Sequence, residues 1–99
     1  MKTEFVKNGA ALTVIPEGRM DTTTSPVLDE RLREEAEGIL DLTIDLEKVD
    51  YLSSGGLRVL LVWEQEMESR GGSMKLRNVN EYIKEVFELT GFLEFLAIE

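Results

Sequence analysis

The chain has 99 residues, and its 20 acidic and 11 basic side chains give a formal net charge of −9. Such an acidic surface repels phosphate backbones and anionic lipid, so we expect neither nucleic acid nor a membrane as a partner. Cysteine and histidine are absent, which excludes disulfides, zinc–thiolate sites and Ser-His-Asp catalysis, and we expect no metal site and no cofactor. The length predicts one domain over residues 1–99, and the lack of a hydrophobic leader or long apolar run predicts a cytoplasmic protein.

The N-terminal third predicts a β-hairpin followed by a helix. Residues 2–7 and 11–15 favour strands, and Asn8-Gly9 between them is a strong turn signal. Ser25 is a good helix N-cap, a proline suits the first turn after it, and apolar residues then recur every four positions. A helix that has Ser25 as its N-cap and stops near Gly38 therefore follows the hairpin.

A strand with two different faces comes next. Residues 39–50 favour a single strand, in which four aliphatic side chains alternate with Asp41, Thr43 and Asp45 between residues 40 and 46. A later strand over residues 73–79 shows the same alternation. Parallel strands that are covered on both faces are almost entirely apolar. We therefore expect one polar sheet face and helices mainly on the other.

Two more helices complete the predicted order. Residues 54–70 favour a helix that ends at Gly71-Gly72. Asn80 is a good cap for a third helix over Glu81–Thr90, and Gly91 marks its end. The last eight residues fit a short strand or a helical turn that closes the core. The order β-β-α-β-α-β-α-(β) predicts an α/β fold with a mixed, mostly parallel sheet and an N-terminal hairpin.

The segment DYLSSGGLRVLL joins the central strand to the second helix. Either Ser53 or Ser54 can cap this helix, while Gly55 and Gly56 relax the turn and let another chain approach the backbone. A phosphate on a serine here would add a charge of about −1.5 to −2 near the positive end of a helix, which tolerates it. Plain capping and turn chemistry is the alternative interpretation.

Motifs along nearly the whole chain match one family. These are Gly18-Arg19-Met20-Asp21, the stretch from Val49 through Gly56-Leu57, RGGSMKLRNVN and VFELTGF. Together they resemble the STAS domain, the family of bacterial anti-sigma factor antagonists. The family signature is often Asp-Ser-Ser-Gly, and ungapped alignment places Ser53 at the Asp position and Ser54 at the phosphorylated serine.

The resemblance implies a regulator that is not an enzyme. Unphosphorylated, it would bind an anti-sigma factor of the serine-kinase type and free the sigma factor; phosphorylation of Ser54 by that partner would weaken binding, and a PP2C-like phosphatase would reset it. We expect the partner-binding residues to be Asp21, Ser53, Gly55, Gly56, Arg58 and Val62. The first alternative is a STAS scaffold without phosphorylation, in a lipid transporter or signalling complex. The second is a small enzyme or receiver domain that uses Asp45 or Asp50.

Overall fold

Five strands, three α-helices and a 3-10 turn make up the computed structural model, which describes residues 2–99. In chain order they are β1 (Lys2–Asn8), β2 (Ala11–Met20), α1 (Ser25–Glu35), β3 (Asp41–Asp45), β4 (Val49–Leu52), α2 (Ser54–Ser69), β5 (Ser73–Arg77), α3 (Glu81–Thr90) and the 3-10 turn Phe92–Glu94. The sheet order is β1-β2-β3-β5, and β4 pairs with β2 as well. The β1–β2 hairpin is antiparallel and the other strand pairs are parallel, which confirms the predicted fold class.

One face of the sheet carries the hydrophobic core. Register places Leu12 beside Leu42 and Leu42 beside Met74, so the aliphatic positions of β2, β3 and β5 point the same way. All three helices bury side chains in the same cluster. The buried helical members are Leu28, Leu32, Leu57, Val59, Leu60, Trp63, Met67, Ile83 and Phe87. The helices thus pack mainly on one face of the sheet, as predicted.

The C-terminal region follows its predicted signals closely. Asn80 Oδ1 accepts a hydrogen bond from the Ile83 N–H at 2.8 Å, and α3 ends at Gly91 with a φ of 78°. Both alternatives for the tail occur in succession, because the 3-10 turn is followed by a parallel bridge between Leu76 and Ile98. Leu96 between them is buried, so this tail does close the core.

The predicted strand boundaries were wrong in the middle of the sheet. The second strand does not stop at residue 15 but continues to Met20, and β4 is a separate strand that the sequence pattern had merged with the preceding run. The two errors have one cause. Residues 18–20 of β2 are a strand because they pair with β4, which a local sequence pattern does not show. The pairing includes a register shift next to Gly18, whose φ is 100°.

The predicted start of α1 was wrong by one residue. Thr24 is the N-cap, and Ser25 is the first helical residue. The turn before the helix is held by Asp21, whose Oδ1 accepts the backbone N–H groups of Thr23 and Thr24, each at 2.9 Å. Ser25 Oγ is buried instead, and within residues 2–99 it has no hydrogen-bond partner.

The polar face of β3 is less exposed than its alternation predicted. Thr43 and Asp45 are only 5% and 8% exposed. Thr43 lies between Thr13 and Lys75 of the flanking strands, while Asp45 Oδ1 accepts hydrogen bonds from the Glu47 N–H and the Asn78 amide, both at 3.0 Å. A central strand is covered by its neighbours even on a face without helices.

No helix within residues 2–99 has the length and apolar character needed to cross a bilayer.

Candidate binding site

The site forms where two parallel strands end next to each other. Met20 at the end of β2 pairs with Leu52 at the end of β4, and the Ser53 N–H donates to the Met20 carbonyl at 2.9 Å. The residues that follow, Asp21 and Ser53, therefore leave the sheet side by side. In open α/β sheets, binding sites gather at this carboxyl edge of the strands.

Ser53 and Ser54 have different structural roles. Ser53 is the N-cap of α2, and its Oγ accepts the N–H groups of Gly55 and Gly56 at 3.2 and 3.4 Å. Ser54 is the first helical residue and is exposed, and no residue in the 2–99 range hydrogen-bonds to its hydroxyl. Of the two candidate caps, Ser53 holds the helix, and the Ser54 hydroxyl is accessible to another molecule.

The two glycines after the serines also differ. Gly56 is buried, and a Cβ added there would lie 2.6 Å from Leu52 Cδ1 and 2.8 Å from the Met20 carbonyl oxygen. At Gly55 an added Cβ would lie 3.3 Å from Thr22 Cα, a tight but milder contact. Packing inside the fold explains why position 56 requires a glycine. Because Gly56 is buried, a partner would contact the residues around it and not Gly56 itself.

An open groove of about 490 Å³ runs between α1 and α2, beside Ser54. Four of the residues expected to serve partner binding or phosphorylation line its α2 wall: Ser54, Gly55, Arg58 and Val62. The opposite wall is formed by Thr22, Ser25, Asp29 and Arg33, among others. Arg58 and Val62, one helical turn apart, are both exposed.

The acidic group in this groove is already paired. Asp29 Oδ1 accepts the indole N–H of the fully buried Trp63 at 2.7 Å, and its Oδ2 accepts Arg33 Nε at 3.3 Å. Arg58 differs, because no carboxylate in residues 2–99 lies within 4.0 Å of its guanidinium. The groove of this strongly acidic protein thus presents an unpaired cation close to Ser54.

Asp21 shapes the loop at the edge of the site. The N–H groups of Thr24 and Thr23 that its carboxylate accepts lower the pKa of Asp21, with a smaller effect from the neighbouring Arg19. Arg19 Nε lies 3.6 Å from Asp21 Oδ2, and its guanidinium stacks 4.0 Å from the centre of the Tyr51 ring. Asp21 therefore positions the loop next to α2.

Sequence reasoning missed the α1 wall of the groove. Asp29 and Arg33 lie in the predicted first helix without a motif that marks them, Ser25 was predicted only as a helix cap, and Thr22 stands out by no signal. The one signal available was the four-residue spacing of Asp29 and Arg33, which places them on the same helix face. That spacing does not show that the face borders a second helix.

The acidic side chains of the described residues do not gather into a metal-binding cluster. Within residues 2–99, no three Asp or Glu side chains come close enough to hold a metal ion. Asp45 is buried and its Oδ1 accepts two hydrogen bonds, whereas Asp50 is exposed on the surface. The fold and the site together define a small α/β domain with an exposed serine beside an open groove.

The comparisons with known proteins agree with this class. Residues 2–99 match the family model of the STAS domain, and the chain belongs to that family. The anti-sigma-B factor antagonist of Bacillus subtilis is 37% identical over 81 residues, which cover 82% of this chain and 74% of that protein. Relatives of this kind are named for antagonism and not for catalysis.

Solved structures share the fold at low sequence identity. The Bacillus cell fate determinant SpoIIAA in its phosphorylated form superposes with a TM-score of 0.77 at 14% identity, covering 99% of this chain and 91% of that one. A Moorella thermoacetica RsbS variant gives 0.82 at 19% identity, with 100% and 86% covered. These matches confirm the predicted STAS architecture.

Proposed function

We propose that this protein is a non-enzymatic anti-sigma factor antagonist that is switched by phosphorylation of Ser54. The observation that carries the proposal is the exposed Ser54 hydroxyl at the start of α2, next to the groove. The name of the Bacillus subtilis relative supports the antagonist role. A solved phosphorylated form of SpoIIAA, which shares the fold, supports a switch by phosphorylation.

The proposed cycle has two binding states. Unphosphorylated, the protein binds an anti-sigma factor of the serine-kinase type and releases the sigma factor. The kinase then uses ATP: a bond forms between Ser54 Oγ and the γ-phosphorus, the bond to ADP breaks, and the serine proton passes to a base of the kinase. A PP2C-like phosphatase hydrolyses the phosphoserine and restores the hydroxyl. Because sigma factors and ATP are found in the cytoplasm, the cycle is cytoplasmic.

Ser53 fits this function although the family often has Asp at its position. Ser and Asp are both strong N-cap residues, because each offers a side-chain oxygen to the free N–H groups of the first helical turn. Ser53 makes these bonds, to Gly55 and Gly56. The capping role is thus retained, and the difference is one fewer negative charge beside Ser54.

A phosphate on Ser54 changes the binding surface more than the fold. The unpaired N–H groups and dipole of a helix N-terminus favour a nearby negative charge, so α2 remains stable. At the interface the same charge is desolvated or faces carboxylates of the partner. A loss of about 3 kcal/mol of binding free energy would weaken the complex more than a hundredfold.

Incubation with the cognate kinase and ATP, followed by mass spectrometry, tests the phosphorylated position. We expect wild type and Ser53→Ala to gain one phosphate and Ser54→Ala to gain none. Circular dichroism of Ser53→Ala controls for loss of the cap. Labelling of Ser54→Ala together with no labelling of Ser53→Ala would move the acceptor to Ser53.

Binding measurements test the switch itself. Ser54→Asp should bind the anti-sigma factor more than a hundredfold more weakly than wild type, while Ser54→Ala should bind about as tightly. The alternative is a scaffold subunit of a lipid transporter or signalling complex, favoured by the missing Asp at position 53. Stable co-purification with transporter ATPase subunits, unaffected by ATP, would support that alternative.

A further inference from the structure

Arg58 differs from the other arginines of the protein. Four arginines form ion pairs with carboxylates and a fifth lies over an aromatic ring; these are Arg19, Arg33, Arg70, Arg77 and Arg31. Within residues 2–99, Arg58 contacts neither kind of group. Its guanidinium is exposed and keeps all five N–H donors for a group that the unmodified chain does not supply.

The position of Arg58 on α2 matches the reach of a modified Ser54. Ser54 is the first residue of the helix and Arg58 follows four residues later, one turn along the same face. Both line the groove between α1 and α2. An anion placed N-terminal to a cation at this spacing is the favourable order on a helix, because it also agrees with the helix dipole.

The opposite wall of the groove contains a second donor without a partner. Ser25 is 2% exposed, and within residues 2–99 no group hydrogen-bonds to its Oγ. The carboxylates nearby are already engaged: Asp29 is held by Trp63 and Arg33, and Asp21 by Thr23, Thr24 and Arg19. The groove therefore presents an unpaired guanidinium, while its own carboxylate is already engaged.

We propose that Arg58 is the intrachain counterion of phosphorylated Ser54, an inference that rests on the proposed function. Two guanidinium N–H groups donate to two phosphate oxygens, the bidentate geometry for which arginine is suited. In the unmodified protein the same guanidinium is available to an acidic group of the partner. Phosphorylation thus acts twice at the interface, because it adds negative charge and withdraws the cation.

A titration of the phosphate tests this pairing without any kinase. Phosphoserine is incorporated at position 54 of the full chain during translation, and its second pKa is followed by ³¹P NMR between about pH 4 and 8, since the free group titrates near 6. In Arg58→Gln we expect this pKa to rise by roughly 0.5 of a pH unit, because the dianion loses its counterion. Arg58→Lys keeps the positive charge but loses the paired N–H donors of the guanidinium. The second pKa of the phosphoserine in this variant should therefore lie between those of wild type and Arg58→Gln.

Arg31→Gln is the matched control, since it removes the same charge from an arginine that lies over Phe5 and outside the groove. Its phosphate should titrate like that of wild type. Equal pKa values in wild type, Arg58→Gln and Arg58→Lys would overturn the pairing. Because the phosphate is installed directly, a kinase that ignores Ser54 would count against the proposed function and leave this result standing.

Discussion

Gly56 shows how a single residue without a side chain supports the site. A methyl group there would overlap Leu52 Cδ1 and the Met20 carbonyl oxygen, and one of these contacts is to backbone that cannot move aside. Overpacking of this kind typically costs about 1–3 kcal/mol. We expect Gly56→Ala to lower the free energy of unfolding by about 2–3 kcal/mol, measured by urea denaturation.

Gly55→Ala provides the control, because an added Cβ there meets Thr22 at 3.3 Å, where a small shift relieves the contact. Its loss of stability should be clearly smaller than that of Gly56→Ala. Equal stabilities of the two variants would contradict the explanation that the close packing of α2 against the end of β2 requires a glycine at position 56.

At the scale of elements, the start of α2 depends on Ser53 as its cap. Replacing a capping Ser by Ala costs typically about 1 kcal/mol, whereas Asp caps about as well as Ser. We therefore expect Ser53→Ala to lower the free energy of unfolding by about 1 kcal/mol. Ser53→Asp, which restores the usual residue of the family, should remain within about 0.5 kcal/mol of wild type.

Both variants are compared by thermal and urea unfolding, with Ser54→Ala as the matched control at the next position. Ser54 makes no capping bond in the described chain, so its replacement should change stability little. A larger loss for Ser54→Ala than for Ser53→Ala would show that the cap has been assigned to the wrong serine.

The elements that could be predicted are those with strong local signals. The α3 boundaries followed from Asn80 and Gly91, and the hairpin followed from its turn. The strand β4 could not be separated from β3, because it has only four residues and its partner, the end of β2, is distant in sequence. The burial of Thr43 likewise depends on neighbouring strands, which a local alternation does not describe.

The candidate site divides in the same way. Its α2 wall, with Ser54, Arg58 and Val62, lies within one continuous segment that the sequence already marked. The α1 wall joins it only through packing between helices, which brings Asp29 to Trp63, 34 residues later in the chain. The sequence could not decide which serine caps α2, because Ser53 and Ser54 are adjacent and a serine is a favourable N-cap at either position. Only the hydrogen bonds in the structure distinguish them.

For the whole molecule, two carboxyl groups make stability depend on pH in opposite directions. The pKa of Asp21 is held below its ordinary 3.8 by hydrogen bonds to its carboxylate, so its contribution is present above pH 3.8 and is lost as the pH falls further. Burial, and then repulsion from Glu68, raises the pKa of Glu64 above its ordinary 4.5. This group stabilises the fold fully below pH 4.5, and the stabilisation is lost as the pH rises through its folded pKa.

Glu64→Gln should therefore stabilise the protein at pH 7, by roughly 0.5 kcal/mol given its partial exposure. At neutral pH the wild type holds a charged, half-buried carboxylate whose Oε2 has no hydrogen-bond partner in residues 2–99. Well below pH 4.5 that carboxyl is protonated in both folded and unfolded states and resembles the amide, so the difference between the two proteins should shrink towards zero. Urea unfolding at pH 7 and at about pH 3.5, one unit below the ordinary pKa of glutamate, measures both values, and Glu85→Gln on the exposed surface of α3 controls for the change in net charge. A stabilisation by Glu64→Gln that is equal at the two pH values would show that ionisation of this carboxyl is not its source.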